Sequence, residues 1–119
     1  MERHPGFDRV LAVWNGRDDV SALDELVTAD YRGHIGSRTR DLAGLVADIA
    51  SYRAAVPGVV FRVEQQFVCG QDVATRLTAA VPTPKESGER TLAGLNMSRW
   101  HEGRLAEEWA VWESLEQQP

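Results

Sequence analysis

The stretch Gly103–Leu115, GRLAEEWAVWESL, sets three glutamates and two tryptophans into a run that otherwise reads as a strand. Large aromatics favour a pleated, half-buried surface, whereas glutamate is depleted there. Residues i, i+2 and i+4 of a strand point to one face. Leu105, Glu107, Trp109, Val111 and Glu113 therefore share one side, and Ala106, Glu108, Ala110, Trp112 and Ser114 the other. Neither side is purely polar, which suits a strand lining a cavity. Desolvation in an apolar cavity raises a carboxylate's pKa and brings it into the range of a general acid or base, while an arginine partner pulls it back down. Glu107 and Glu113 are the candidate proton carriers, Arg76 the candidate partner, and His34 a further titratable group.

Metal chemistry finds little support. Three histidines and one cysteine form no H-x-H, H-x-x-x-H or C-x-x-C pair, and no glycine-rich phosphate loop is present. A site that works without a cofactor or metal is the expectation. The 119 residues suit one domain, and 43% hydrophobic content suffices for a core without disulfides. A net charge of -5 argues against nucleic acid or an anionic membrane as partner, since both reward clustered Lys and Arg. No apolar run reaches the roughly 18 residues of a membrane span, and MERHPGFDRV lacks the apolar core of a signal peptide. A cytoplasmic protein is expected.

The positioning elements follow from periodicity. Phe7, Val10, Leu11 and Trp14 fall at helical spacing, with Pro5 suited to the first turn and Asn15–Gly16 to the stop. A short second helix is predicted over DVSALDELVT, with Asp18 or Asp19 as its cap. DYRGHIGS reads as a short extended piece. RDLAGLVADIASYRAAVP gives a third helix that ends at Pro57–Gly58. The period then changes to two across VVFRVEQQFVCG, DVATRLTAAV, ERTLAGLNMSRWHEG and the final stretch. Gly70–Gln71 and Glu102–Gly103 are predicted hairpin turns, and Pro82–Glu89 a longer polar loop. Helices first and an antiparallel sheet second make an α+β domain spanning 1–119.

This order of elements resembles the NTF2-like fold and, within it, the SnoaL-like polyketide cyclase group. The resemblance is carried by DYRGH at Asp30–His34, YRAAVPGVVFRVE at Tyr52–Glu64, GQDVATR at Gly70–Arg76 and RWHEGRLAEEWAVWE at Arg99–Glu113. It implies a cone in which N-terminal helices pack on a curved sheet and enclose an apolar pocket. The fold hosts isomerases, cyclases, epoxide hydrolases and non-catalytic binders alike. In the cyclase group the residue four after the late Trp is usually Asp, taken to move the proton in ring closure. Glu113 stands there, and its extra methylene shifts the carboxylate by roughly an ångström.

With both turns two residues long, Asn96, Ser98 and Trp100 share a face with Glu107, Trp109 and Glu113. Phe61, Val63, Gln65 and Phe67 then share one with Ala74, Arg76 and Thr78. Both sets mix aromatics with a few polar groups, as ligand pockets do, and are expected on the concave side. The pocket is thus expected to comprise Trp14, Tyr31, Tyr52, Phe61, Val63, Phe67, Asn96 and Trp109. The opposite face, with Val68, Val73, Thr75, Leu77, Met97 and Trp112, is expected to meet a second subunit in a two-fold homodimer, as the resemblance also implies.

Three functions compete. One is a cofactor-independent cyclase or isomerase acting on a small, largely apolar oxygenated molecule, with Glu113 or Glu107 moving the proton. A second is an epoxide-hydrolase-like enzyme with a Glu107–Arg76–Glu113 row. The third is a non-catalytic ligand-binding or dimerisation module, in which Glu107 and Arg76 form only a structural ion pair.

Overall fold

A computed structural model describes residues 1–83 and 88–114. The helices are α1 (Pro5–Trp14), α2 (Leu23–Leu26) and α3 (Leu42–Ala55), with a 3-10 turn at Val20–Ala22 leading into α2. The strands are β1 (Val27–Ile35), β2 (Arg38–Arg40), β3 (Val60–Cys69), β4 (Asp72–Thr83), β5 (Gly88–His101) and β6 (Arg104–Trp112). They form one curved sheet in the order β2-β1-β6-β5-β4-β3. The expected antiparallel sheet is in fact mixed, because β1 lies parallel to β6. That pairing places the DYRGH segment beside the glutamate-rich strand, 70 residues and more along the chain.

Local chemistry explains the helix ends. Pro5 takes the first turn of α1, and the His4 imidazole caps it by accepting from the Phe7 N–H at 3.1 Å. Asn15, expected only as a stop, also tethers α1 to β3. Its amide accepts from Phe61 N at 2.7 Å and donates to Phe61 O at 3.0 Å. Asp19 holds the cap position of the 3-10 turn without a side-chain bond. Asp41 caps α3 through the Gly44 N–H. The buried faces of the helices meet the inner face of the sheet in a core containing Val13, Leu23, Leu45, Ile49, Val73 and Trp100.

Both hairpin turns fall where predicted, with Cys69 opposite Asp72 and His101 opposite Arg104. Each hairpin nevertheless carries a bulge. In β3 the register passes from Val63↔Leu77 to Gln65↔Arg76, leaving Glu64 as the extra residue. In β6 it passes from Trp100↔Leu105 to Arg99↔Glu107, leaving Ala106 extra. One extra residue exchanges the two faces of the strand beyond it. Of the expected Pro82–Glu89 loop, residues 84–87 lie outside the described residues, while Pro82 pairs with Glu89 and Thr83 with Gly88.

The α1 cap requires a neutral imidazole. Burial of His4, whose ring packs at 4.4 Å on Trp100, pushes its pKa below 6.5, and Asp8 opposes that only in part. A lowered folded pKa contributes stability that is present above pH 6.5 and lost as pH falls through the folded value. Protonation also places a cation at a helix N-terminus. Denaturant unfolding at pH 7 and pH 5 should show a larger loss for the wild type than for His4→Asn, which keeps a capping acceptor without titrating. The difference should be about 1 kcal/mol, the usual worth of a cap; equal losses would exclude the cap as its source.

Candidate functional site

The bulge at Ala106 decides which glutamate turns inward. Leu105 lies in the core, and beyond it Glu108, Ala110 and Trp112 face the helices. Glu108 is 8% exposed and accepts from three partners. The Tyr31 hydroxyl donates to its Oε2, Arg40 Nη2 donates to the same oxygen at 3.2 Å, and Asn96 Nδ2 donates to Oε1 at 2.9 Å. Arg40 also gives Nε to the Tyr31 oxygen at 3.0 Å and Nη1 to Asp48 at 2.9 Å. The arrangement is a row of Glu108, Arg40 and Asp48 with Tyr31 and Asn96 at one end.

Each element delivers one part. Parallel pairing with β6 brings β1 alongside, so Tyr31 reaches Glu108. Gly33 then leaves space above it, since a Cβ there would overlap the Tyr31 hydroxyl and Arg40 Nε. The short β2 pairs Arg40 with Gly33 and Arg38 with Ile35, sending both arginines toward the cavity. Asp48 on α3 receives Arg40 and, at 3.0 Å, Arg38.

Electrostatics follow from this burial. Desolvation works against the Arg40 charge, but the Tyr31 oxygen, Glu108 and Asp48 outweigh it and hold the guanidinium protonated. Partial burial pushes Asp48 up, yet hydrogen bonds and charge from Arg40 and Arg38 bring it below its usual range. Desolvation, then the adjacent Glu108 carboxylate, drives the Tyr31 phenol well above 10. Tyr31 therefore remains a donor.

The network forms one wall of a cavity of about 420 Å³. Four aromatic rings make another part of its lining. Trp14, Tyr52 and Trp112 surround Phe61 at centroid distances of 5.6, 5.7 and 5.7 Å. The Trp112 ring lies flat on Gly94, where a Cβ would stand 2.5 Å or so from its atoms. Glu113 sits at the rim and closes the end of β6 onto Ala93, accepting from its N–H at 2.6 Å and donating its own N–H at 3.0 Å.

Several expected placements need correction. Glu107 and Trp109 face the outer side, because Ala106 shifts the parity between them and Leu105. There Glu107 meets His34 Nε2 at 2.8 Å, and the His34 ring stacks on Trp109 at 5.4 Å. Phe67 is also outside, turned by the Glu64 bulge in β3, and so is Arg76, which alternates on β4 with the buried Thr75 and Leu77 and is not brought to Glu113. Conversely Val73, Thr75 and Leu77 are buried inside and Trp112 lines the cavity, so of the expected outer set Met97 is an exposed member. Trp14, Tyr52, Phe61 and Asn96 do line the cavity. Val63 packs in the core, and Tyr31 lies behind the wall, fully buried. Glu108, Arg40 and Asp48 were missed. The one sequence signal for Glu108 was its sharing a strand face with Trp112.

Residues 7–108 match the model of the SnoaL-like domain. The chain belongs to the SnoaL-like family. Solved structures agree with this SnoaL-like fold. IdmH from Streptomyces antibioticus, described as a candidate polyketide cyclase, is 25% identical with a TM-score of 0.77, covering 92% of this chain and 93% of its own. A candidate polyketide cyclase from Bacillus cereus is 19% identical with a TM-score of 0.78, over 91% of this chain and 72% of its own. AclR from Streptomyces galilaeus, described as a candidate hydroxylase, is 18% identical with a TM-score of 0.75, over 91% and 76%. No curated protein matches the sequence. No helix among the described residues is long and apolar enough to cross a membrane, and no group of three or more metal-ligating side chains is found among them.

The site's electrostatics carry a spectroscopic consequence. The chain has two tyrosines. Tyr52, like Tyr31, is pushed above 10, by desolvation alone. Raised folded values contribute stability that is present below pH 10 and lost as pH rises past it. Tyrosinate absorbance should rise at a higher pH in the native protein than in denaturant, where both phenols titrate near 10. A native phenol ionising near 10 would contradict the burial described.

Proposed function

We propose that residues 1–119 act as one cytoplasmic domain that binds a small, largely apolar oxygenated molecule in the cavity. Glu108 serves as base in a cofactor-independent isomerisation or cyclisation. The observation that carries this reading is the glutamate carboxylate buried in the wall of a mostly apolar cavity, held by Tyr31, Arg40 and Asn96. Three donors fix its orientation, and a fixed base is what proton abstraction beside a carbonyl needs. Glu108 takes a proton from the carbon next to a carbonyl, and its conjugate acid returns it elsewhere on the molecule. A carboxylate suffices for that step, so no cofactor is called for. The SnoaL-like relatives described as candidate cyclases favour the same class of reaction.

A second reading has its own support. The Glu108–Arg40–Asp48 row is the carboxylate–arginine–carboxylate arrangement expected of an epoxide-hydrolase-like site, built from residues other than Glu107, Arg76 and Glu113. Here Asp48, kept ionised by Arg38 and Arg40, takes a proton from water as the water oxygen bonds to an epoxide carbon, the ring C–O bond breaks, and the alkoxide oxygen takes a proton delivered through Glu108.

The outer sheet face supports a homodimer. Phe67, Leu95, Met97 and Val111 are each more than half exposed and lie on neighbouring strands. Monomers rarely expose apolar patches of this kind.

Two experiments test these proposals. Hydrogen–deuterium exchange at the α-carbon of 2-tetralone, followed by NMR, should be accelerated by the wild type and slowed at least about 100-fold by Glu108→Gln, with Glu113→Gln close to wild type. Exchange unaffected by the Glu108 change in a folded variant would remove the base from the mechanism, while turnover of styrene oxide in place of exchange would favour the second reading. Light scattering should give a dimer mass for the wild type and a monomer mass for Leu95→Lys/Val111→Lys; a monomeric wild type would refute the dimer.

A further inference from the structure

Adjacent residues Glu107 and Glu108 leave β6 on opposite faces, and both reach β1. Inside, Glu108 accepts from the Tyr31 hydroxyl. Outside, Glu107 Oε2 lies 2.8 Å from His34 Nε2. A carboxylate only accepts, so Nε2 is the donor. The His34 ring also stacks on Trp109 at 5.4 Å, with 14° between the planes. From β5, Arg99 lies over Trp109 at 5.6 Å and stands 3.8 Å from Glu107. The two β6 groups that His34 meets are thus held in turn from the middle of the sheet.

The strand pairing beneath this contact is interrupted. β1 meets β6 at Val27↔Leu105, the register then breaks, and regular pairs run from Arg32↔Glu107 to Ile35↔Ala110. Thr28 to Tyr31 fall in the break, with Ala106 alone across from them. Thr28 Oγ1 is a buried oxygen without a hydrogen-bond partner there. One end of the break is fastened by Arg104, whose Nη2 donates to Val27 O at 2.9 Å. The other end relies on a few parallel pairs, which are slightly weaker than antiparallel ones, and on β2, a three-residue edge strand. Tyr31 is the last residue before regular pairing resumes, so its hydroxyl moves with that end.

We propose that His34 is a positioning residue: from the outer face it fixes β1 lengthwise against β6 and so holds the Tyr31 hydroxyl on Glu108. His34 itself is absent from the cavity lining. Glu107 stands opposite Arg32 in the register, yet its carboxylate reaches diagonally to His34. Ladder hydrogen bonds chiefly resist separation of two strands, whereas a diagonal side-chain tie resists sliding along them. Only Arg32 and Gly33 separate His34 from Tyr31, so a lengthwise shift at one is carried to the other. Donor geometry around a base is sensitive to shifts of an ångström or less. The hold on Tyr31 stands independently of any reaction; its effect on turnover rests on the reading of Glu108 as base.

The Tyr31 hydroxyl proton, observed by NMR, reports the bond to Glu108 in the folded state. The Trp100 indole proton, bonded to Ser98 Oγ at 2.8 Å, serves as a control elsewhere in the core. His34→Ala should move the Tyr31 signal upfield as its bond lengthens and leave the Trp100 signal in place. Glu107→Ala should move it alike, and the double variant should add nothing further, as expected of one shared interaction. His34→Gln keeps a donor to Glu107 and should restore the wild-type signal. His34→Phe keeps the stack on Trp109 without the donor and carries the same test if the alanine variants do not fold. In the 2-tetralone assay His34→Ala should lower kcat about tenfold with KM unchanged. An unmoved Tyr31 signal in folded His34→Ala or His34→Phe overturns the proposal, as does an equal movement at Trp100. A displaced Tyr31 signal with unchanged turnover supports the positioning role and counts against Glu108 as base.

Discussion

The buried pairing of Arg40 with Glu108 is the constraint around which the rest of the molecule is arranged. The Arg40 side chain is 6% exposed and the Glu108 side chain 10%. Neither charge can be left alone at such depth, because removing one partner of a buried pair costs about 3–5 kcal/mol. The remaining donors and acceptors must also be filled, and Tyr31, Asn96 and Asp48 fill them. A three-residue edge strand, a glycine without a Cβ at position 33 and an aspartate on α3 all make sense as parts of that accounting. Stability alone does not explain it, since well-packed apolar residues often do as well as a buried ion pair. Its position on the wall of a cavity gives the arrangement its functional interest.

The two faces of the sheet divide the chemistry. Inside, the carboxylate wall and the aromatic wall enclose space sized for a small molecule, and the aromatic rings hold one another edge-on, with centroids 5.6–6.5 Å apart in the three T-shaped pairs. Outside, a second set of charged and aromatic groups, His34, Glu107, Arg99 and Trp109, lies over exposed apolar residues. Arg99 stacks over Trp109 at 5.6 Å, and its guanidinium lies 3.8 Å from Glu107. Of these groups, Glu107 and Trp109 are the ones that strand parity alone directs inward. Their half-exposed setting leaves their charges screened, unlike those of the inner network.

Periodicity was enough for the helix positions, the two hairpin turns and the α+β order, because each depends on residues close in sequence. Apolar spacing in Phe7–Trp14 and Leu42–Tyr52, Pro5, Asn15–Gly16 and the glycine turns are local signals with local causes. The family resemblance extended these to the cone and its cavity, and Trp14, Tyr52, Phe61 and Asn96 stand on that cavity as expected. The parallel contact of β1 with β6 carried no comparable signal, since it joins Asp30–His34 to a strand far along the chain. Without it, Tyr31 could be anticipated as lining but not as the hydroxyl that holds a glutamate.

What the sequence determined by itself is therefore the set of elements, their order and the presence of carboxylates in a strand with apolar neighbours on both faces. Which carboxylate faces the cavity was decided by tertiary structure. The alternation of a strand is strict only while pairing is regular, and single unpaired residues at Glu64 and Ala106 reverse it. A bulge depends on how two strands accommodate sheet curvature and the packing beneath, which no count of residues along one strand contains. The inward turn of Glu108 is completed by Arg40, Tyr31 and Asn96, drawn from three other strands, and their convergence exists only in the folded chain.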